Sequence, residues 1–281
     1  MRIMVIDCAS GLTLPGDLEV ISLPAIPTRR DLRPVDKLCA EAPAISPSLE
    51  EIAASPSVPH MGAPARIDVG VALRLVVVGS DAALAAVITR LMRADYMWVE
   101  VGYIPIDPAS PAAVNWGLAS LSSDELWALA VDGTVRPVPL IRDDRGNAVA
   151  GCATVTSFPD SGELAAEIAV DDVTLLPGPT AGVVGAKLVP ELDAPGLAAV
   201  RLVAAPPPRR GFTRLVTGLF QRSPQPGSPA YRADPASLAT GRAMQVGGEN
   251  ILVTIDSVAR PRPVDRCAFY RHLRDLQAVR M

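Results

Sequence analysis

Residues 75–93 constrain the fold more than any other stretch of this 281-residue chain. Leu75 to Val78 form an apolar, β-branched run, which is typical of a strand buried on both faces of a parallel sheet. Gly79-Ser80-Asp81 predicts a tight turn, and residues 82–93 then place apolar side chains on one face of a helix. A strand, a small-residue turn and a helix in this order predict one βα unit of an open α/β sheet. The backbone N–H groups at such a helix start can receive a phosphate.

The remainder of the first half continues the α/β pattern. Further strands are indicated at 2–7, 18–23 and 98–106, and a second turn follows the last of these at Asp107 to Pro111. Helices are predicted at 31–39 and, after the Ser122 cap, at 123–131. Residues 41–66 are rich in Ala, Pro and Ser, which indicates a loose surface segment.

The second half carries a different pattern. Short β-like runs separated by turns are indicated at 135–141, 148–156, 164–170, 173–176, 185–189, 198–203, 243–246 and 251–258. Strands at this spacing are typical of an all-β sandwich. We therefore predict an α/β + β chain, with a Rossmann-like parallel α/β domain at 1–133 and an antiparallel β-sandwich domain at 134–281. The second domain should carry a Pro/Arg-rich insertion at 205–239, and the C-terminal tail could return to the first domain.

Composition excludes several kinds of site. The four cysteines lie far apart with no Cys-x-x-Cys pair, which indicates reduced, buried thiols. Only His60 and His272 are present, which excludes a His-rich metal site and argues against a Ser-His-Asp triad. No apolar run reaches the length of a membrane span, and the chain begins directly with a strand-like segment. We expect a soluble, cytoplasmic protein.

Charge is distributed unevenly. Residues 201–281 contain thirteen arginines and five acidic residues, although the whole chain has a net charge of −4. The C-terminal third could therefore face an anionic partner or the acidic first part of the chain itself. Both interpretations stay open.

A basic amphipathic stretch lies between two Pro-rich segments. Within residues 209–222, the side chains of Phe212, Leu215, Val216, Leu219 and Phe220 recur at helical spacing, and four arginines flank them. Such a helix could lie on an anionic membrane surface, on the inner face of the membrane, or pack on the β domain with solvated arginines. Single-stranded nucleic acid is a weaker alternative, because only two aromatic side chains are available for stacking. We expect no nucleic acid partner.

The two turns of the first domain carry a family resemblance. After the first strand, diacylglycerol kinases and related lipid kinases have Gly-Gly-Asp-Gly-Thr, and this chain has Gly79-Ser80-Asp81-Ala82-Ala83. Their later Pro-Leu-Gly-Thr-Gly-Asn-Asp-Phe-Ala-Arg is matched here by Pro105-Ile106-Asp107-Pro108-Ala109-Ser110-Pro111-Ala112-Ala113-Val114. Asp256 stands where the family has the aspartate of an Asp-Gly-Glu turn. Residues 74–118 resemble the family well, the C-terminal strand moderately, and the middle of the chain hardly at all.

The resemblance implies an activity and a set of site residues. It implies the fold that these kinases share with NAD kinases, phosphoryl transfer from ATP with Mg²⁺ to a lipid hydroxyl, and a homodimer. Asp81 would be the general base, with Asp256 facing it, and the phosphates would lie against the two turns. The implied nucleotide-binding residues are Gly79, Ser80, Ala82, Ala83, Pro105, Asp107 and Ser110. Read as local structure alone, Asp81 would cap a turn, Asp256 would be a solvated strand end, and Asp107 would begin a Pro-containing turn.

The departures from the family motifs predict weakened or lost activity. Ser80 and Ala82 each add a Cβ where the family has glycine, and Pro108 removes a backbone donor from the second turn. Two missing charge-assisted hydrogen bonds would cost roughly 3–6 kcal/mol, or about 10² to 10⁴ in affinity. One hypothesis is therefore a divergent lipid kinase, and the other is a non-catalytic pseudokinase that acts as a binding or regulatory module.

Overall fold

The computed structural model describes residues 1–41, 49–54, 62–67, 73–159, 162–205 and 231–281. The amphipathic stretch at 209–222, much of the predicted insertion at 205–239 and parts of the 41–66 segment lie outside the described residues. The predictions made for them are neither confirmed nor contradicted.

Four strands from the first half of the chain and one from its C-terminus form a five-stranded parallel sheet. Its strands stand in the order β17, β4, β3, β1, β2, with bounds Arg2–Cys8 (β1), Val20–Leu23 (β2), Leu73–Gly79 (β3), Glu100–Pro105 (β4) and Gln277–Ala278 (β17). Every residue of β3 and β4 is buried, which explains why both strands are largely apolar apart from Arg74 and Glu100. The last strand, β17, pairs with β4, so the C-terminus of the chain completes the first sheet.

Five α-helices accompany this sheet in the described chain. They are α1 (Arg33–Glu41), α2 (Leu49–Ala54), α3 (Asp81–Arg93), α4 (Pro111–Asn115) and α5 (Ser123–Asp132). The side chain of Ser80 caps α3, and Ser122 with Glu125 forms a capping box at the start of α5. Among the described residues, no helix is long and apolar enough to cross a membrane.

The second half forms a twelve-stranded antiparallel sheet around its own core. The strands are β5 (Ile141–Asp143), β6 (Ala148–Val149), β7 (Ala153–Ser157), β8 (Ala166–Val170), β9 (Val173–Pro177), β10 (Val183–Pro190), β11 (Leu197–Ala204), β12 (Tyr231–Ala233), β13 (Ala239–Gly241), β14 (Ala243–Ile255), β15 (Val258–Ala259) and β16 (Val264–Arg271). The long strand β14 lies at the centre, paired with β7, β8, β15 and β16. The predicted fold class, a parallel α/β unit followed by antiparallel β structure, is confirmed.

Several local predictions were wrong. Residues 135–141 were predicted as a strand, but Val135 and Val138 form only isolated bridges to the C-terminal segment. The pattern suggested a break between 246 and 251, whereas β14 passes through it with a shift of register and a positive φ at Asn250. Strand β16 was missed because charged residues interrupt its alternation. Helix α4 was missed because two prolines and Asp107 indicated a turn.

A buried ion pair ties α5 to the parallel sheet. Arg74 on β3 donates to the Glu100 carboxylate on β4 at 2.7 and 2.8 Å, and to the Val131 carbonyl near the end of α5 at 2.6 Å. Both side chains are buried, so the pair is shielded from solvent.

Some described arginines of the C-terminal third pair with carboxylates earlier in the chain. Arg242 pairs with Asp171, and Arg274 pairs with Asp95 on the first domain. For these arginines, the complement is the chain itself rather than a separate anionic molecule.

Candidate functional site

The two turns that resemble the kinase motifs lie side by side. Gly79 ends β3 and Pro105 ends β4, and the two residues are register partners in the parallel sheet. The chain therefore leaves the sheet twice at the same edge, first into α3 and then into α4. This edge, beyond the carboxyl ends of parallel strands, is where open α/β folds bind ligands.

Asp81, the first residue of α3, joins the two turns through its carboxylate. Its Oδ1 atom accepts hydrogen bonds from the Tyr103 hydroxyl at 2.8 Å and from the Ser110 hydroxyl at 2.7 Å. Its Oδ2 atom accepts a bond from the Ala112 N–H at the start of α4, at 2.9 Å. Asp81 is 7% exposed, so these bonds are shielded from water. The carboxylate therefore holds the second turn and α4 against α3.

The second turn is bonded within the chain. Asp107, whose side chain is exposed, accepts from the Ala109 N–H at 2.9 Å, and its carbonyl accepts from the Ser110 N–H. The Ser110 hydroxyl oxygen accepts from the Ala113 N–H at 3.3 Å and so caps α4. Together with the bond from Ala112 to Asp81, these contacts direct the N–H groups of the turn toward oxygens of the protein itself. A phosphate would have to compete with them.

The first turn is compact. The Ser80 hydroxyl accepts from the Ala83 N–H at 3.2 Å, and Ala82 and Ala83 are buried. A Cβ at Gly79 would approach Cβ atoms of Cys8 and Ala83 at 3.0 Å, so this glycine is required by close packing between β3, α3 and the end of β1. The five residues of the turn thus serve packing and capping.

Asp256 approaches the same place from the β domain. It lies in the turn between β14 and β15 with a positive φ of 47°, and its carboxylate accepts three backbone N–H groups, from Ala150, Gly151 and Cys152, at 2.8–2.9 Å. Burial raises the pKa of Asp256 most, the three N–H donors lower it, and the negative charge of Asp81 raises it further, with a net value of about 7. Asp256 is therefore a buried carboxyl that titrates near neutrality.

Gly151 closes the space between the two domains. A Cβ placed on Gly151 would lie 2.6 Å from the Oδ2 atom of Asp81, 2.7 Å from the Ala112 nitrogen and 2.9 Å from the Pro111 Cβ. The loop that Asp256 fixes is therefore pressed directly against Asp81. No room for a methyl group is left on that side of the carboxylate.

An open cleft lies beside this closed centre. It has a volume of about 530 Å³ and runs along α3, between the loop after β2, the β5–β6 hairpin and the β14–β15 turn. Five arginines and one aspartate are the charged residues that line it: Arg29, Arg90, Arg93, Arg145, Arg260 and Asp143. A cleft of this size and charge suits a small anionic ligand.

The structure brings together the site residues that the sequence indicated. Gly79 to Ala83, Pro105, Asp107 and Ser110 surround one edge of the sheet, and Asp256 faces Asp81 closely enough for their charges to interact. Sequence reasoning missed Tyr103, Gly151 and the arginines of the cleft. The Tyr103 hydroxyl was hidden inside an apolar strand, and the cleft arginines come from distant parts of the chain, so no local signal indicated them.

The carboxylates of this site do not fit a Mg²⁺ ion. The oxygens of Asp81 and Asp256 already accept hydrogen bonds from the protein. Within the described ranges, no group of three or more His, Cys, Asp or Glu side chains is arranged to hold a metal. A phosphate-bound Mg²⁺ would therefore find no assembled set of protein ligands here.

Comparison with known proteins establishes the fold. No protein-family model and no curated protein sequence matches this chain. A diacylglycerol kinase from Bacillus anthracis str. Sterne matches it over 100% of this chain and 97% of its own, with a TM-score of 0.54 and 12% identity. A second structure from the same organism, provisionally named a diacylglycerol kinase, matches with a TM-score of 0.55, 11% identity and coverage of 100% and 97%. An NAD kinase from Archaeoglobus fulgidus in complex with ATP gives 0.45 at 12% identity, over 98% and 92%. The chain thus has the fold of the diacylglycerol kinases along its whole length.

Proposed function

We propose that this protein is a ligand-binding module built on the diacylglycerol kinase fold, in which phosphoryl transfer from ATP is weak or absent. The observation that carries the proposal is the state of Asp81. Its carboxylate accepts three hydrogen bonds inside the protein and is covered by the backbone of Gly151.

A general base needs a free lone pair within reach of the acceptor hydroxyl. Both lone pairs of the Asp81 Oδ1 atom are used by the hydroxyl groups of Tyr103 and Ser110. The Oδ2 atom accepts from Ala112, and the backbone of Gly151 is packed against it. Freeing one lone pair of Oδ1 would break one hydrogen bond to a charged group, at roughly 1.5–3 kcal/mol. A barrier raised by about 1.5–3 kcal/mol corresponds to a rate lower by about 10 to 10². This supports a positioning role for Asp81.

The second turn supports the same proposal. In the kinases that the chain resembles, this turn presents backbone N–H groups to phosphates. Here the N–H groups of Ala109, Ala112 and Ala113 bond to Asp107, Asp81 and Ser110. The protein supplies its own oxygens where a nucleotide would supply phosphate oxygens, which weakens ATP binding at this turn.

One observation favours the other hypothesis, a divergent kinase that transfers phosphate from ATP to a lipid hydroxyl. Asp81 and Asp256 form a pair of neighbouring carboxyls, and the pKa of Asp256 is raised to about 7. Paired carboxyls whose pKa values are pushed apart can serve as acid and base. Asp256 is 3% exposed, however, and could act only if the loop at 150–152 moved away.

The test measures transfer of the γ-phosphate of ATP to diacylglycerol in mixed vesicles with Mg²⁺, for the wild type, Asp81→Asn and Asp17→Asn. Asp17 is exposed and serves as the matched control. We expect no transfer above the protein-free rate. We also expect a lower unfolding temperature for Asp81→Asn but not for Asp17→Asn. In Asp81→Asn a neutral amide replaces the carboxylate to which Tyr103, Ser110 and Ala112 donate hydrogen bonds. Transfer by the wild type that disappears in Asp81→Asn at unchanged stability would refute the proposal.

A further inference from the structure

The cleft beside α3 has two chemically different ends. The face of α3 that lines it carries Ala82, Ala85 and Ala86 in its N-terminal half, and Thr89, Arg90 and Arg93 in its C-terminal half. These positions follow helical spacing, so they form a single strip of the helix surface. At 1.5 Å per residue, the strip from Ala82 to Arg93 is about 16 Å long.

The β domain repeats this division on the opposite wall. Ile255, Val258 and Ala259 line the cleft from the β14–β15 turn, which also holds Asp256 beside the start of α3. The β5–β6 hairpin lies beside the C-terminal half of α3, because the Ala148 N–H donates to the Thr89 hydroxyl at 2.9 Å. The apolar residues of both walls therefore meet at one end, and the polar residues meet at the other.

The polar end has an excess of positive charge. Arg93 donates to the carbonyls of Arg145 and Gly146 and to the side-chain oxygen of Asn147, which are neutral groups and leave its charge uncompensated. In the part of the chain that the structure describes, no carboxylate pairs with the side chains of Arg29 or Arg145, which also line the cleft. Arg90, by contrast, is paired with Asp36. Three arginines thus remain for an anionic group.

Arg260 adds a buried cation to the same wall. It is 9% exposed, and its Nη2 atom pairs with Asp143 and Asp144 of the hairpin. Its Nε and Nη1 atoms are buried and have no hydrogen-bond partner in the described structure. A buried N–H group without a hydrogen-bond acceptor destabilises the folded state unless a ligand supplies the acceptor.

The apolar end is left exposed to solvent. Ile26 on the loop after β2 is 50% exposed and Val258 is 46% exposed, and both line the cleft. Exposed large apolar side chains in the lining of an open cleft indicate an apolar occupant. The described lining has no aromatic side chain on which a nucleobase could stack.

We propose that this cleft binds an amphiphilic anion with an aliphatic chain, a carboxylate or a phosphate monoester. The anionic group lies between Arg29, Arg93 and Arg145, and the chain lies along Ala82, Ala86 and Val258. This inference rests on the proposed function, because it takes the cleft as a binding site rather than a site of ATP turnover. The anion is placed at the C-terminal half of α3, away from the turns where the family resemblance would put phosphates.

Titration calorimetry on the full chain tests the proposal with hexanoate, octanoate, decanoate and decyl phosphate as probes. Each added methylene should tighten binding by up to roughly fourfold. Decanol, which has no charge, should bind at least tenfold more weakly than decanoate. If decanoate binds more tightly than decyl phosphate, the ligand is a carboxylate. If decyl phosphate binds more tightly than decanoate, the ligand is a phosphate monoester.

Two pairs of variants separate the ends of the cleft. Arg145→Ala should weaken decanoate binding about tenfold or more, whereas Arg232→Ala, an exposed arginine on β12, should not change it. Val258→Ser should weaken binding of decanoate but not of hexanoate, and Val173→Ser, at a valine of similar exposure, should change neither. Unfolding temperatures of all four variants show whether the fold is retained.

Several results would overturn the inference. Equal affinity for hexanoate and decanoate would mean that no aliphatic chain is buried. Equal affinity of Arg145→Ala and the wild type for decanoate would mean that these arginines do not receive the anion. If ATP competes with decanoate and binds more tightly than decanoate does, the cleft is a nucleotide site instead. The transfer assay on Asp81→Asn is independent of these outcomes and decides the proposed function by itself.

Discussion

Substitution of Gly151 by alanine should destabilise the protein through contacts between the two domains. The added Cβ would lie 2.6 Å from the Asp81 Oδ2 atom and 2.7 Å from the Ala112 nitrogen. Both neighbours are fixed, since Asp81 accepts three hydrogen bonds and Ala112 is held at the start of α4. The methyl group can be accommodated only if the loop at 150–152 moves away.

The expected cost follows from that displacement. Overpacking a filled site costs typically 1–3 kcal/mol. Movement of the loop also strains the three N–H bonds to the buried Asp256, so a loss of about 3 kcal/mol is expected. In a chain of this size, that corresponds to a fall of roughly 6–12 °C in unfolding temperature.

The assay is thermal unfolding of Gly151→Ala beside a matched glycine variant. Gly16 has open space around it and no positive φ, so Gly16→Ala should be neutral or slightly stabilising. Equal unfolding temperatures for the two variants would refute the view that the β domain is pressed against Asp81.

Three further predictions concern a titration, an ion pair and a surface. Between about pH 4 and 7 the folded state keeps the proton of Asp256 that the unfolded state loses, so the unfolding free energy should fall as pH rises through this window. In urea unfolding, the free energy of unfolding of Asp256→Asn should fall less over this pH range than that of the wild type. The same dependence on pH in both proteins would contradict the assignment of this titration to Asp256. Arg74→Ala should cost about 3 kcal/mol, because the buried Glu100 would keep an ion pair with the exposed Arg66 but lose its buried partner. Arg2→Ala, at an exposed pair, should stay within about 1 kcal/mol, and equal midpoints in urea would speak against the buried pair. Phe220→Asp should abolish co-sedimentation with anionic liposomes at unchanged stability if 209–222 binds membranes, and a loss of stability with unchanged sedimentation would show packing instead.

The elements of the fold that follow local rules could be predicted from the sequence. Strand β3 and helix α3 were found because an apolar run, a small-residue turn and helical spacing all lie within residues 75–93. The start of α5 was found because the Ser122 hydroxyl indicated an N-cap, and the structure shows that Ser122 forms a capping box with Glu125. In contrast, β16 depends on pairing with β14, which the alternation of its own residues does not reveal.

The location of the site could be predicted from the sequence, but the hydrogen bonds and packing contacts of its residues could not. The two turns meet because parallel strands end at one edge, which the order of elements implies. The bond from Asp81 to Ala112 depends on where α4 begins, and the approach of Gly151 depends on how the two domains meet. The ion pair of Arg260 with Asp143 joins residues 117 positions apart. Such contacts leave no periodic trace in the sequence.

Titration of the purified protein with ATP and Mg²⁺ in a calorimeter tests the central claim most directly. If the chain's own oxygens occupy the second turn, no saturable binding of ATP should appear at micromolar concentrations, and any heat should require millimolar nucleotide. Micromolar binding of ATP would contradict the account, because the N–H groups of the turn would then have to be free to hold phosphates.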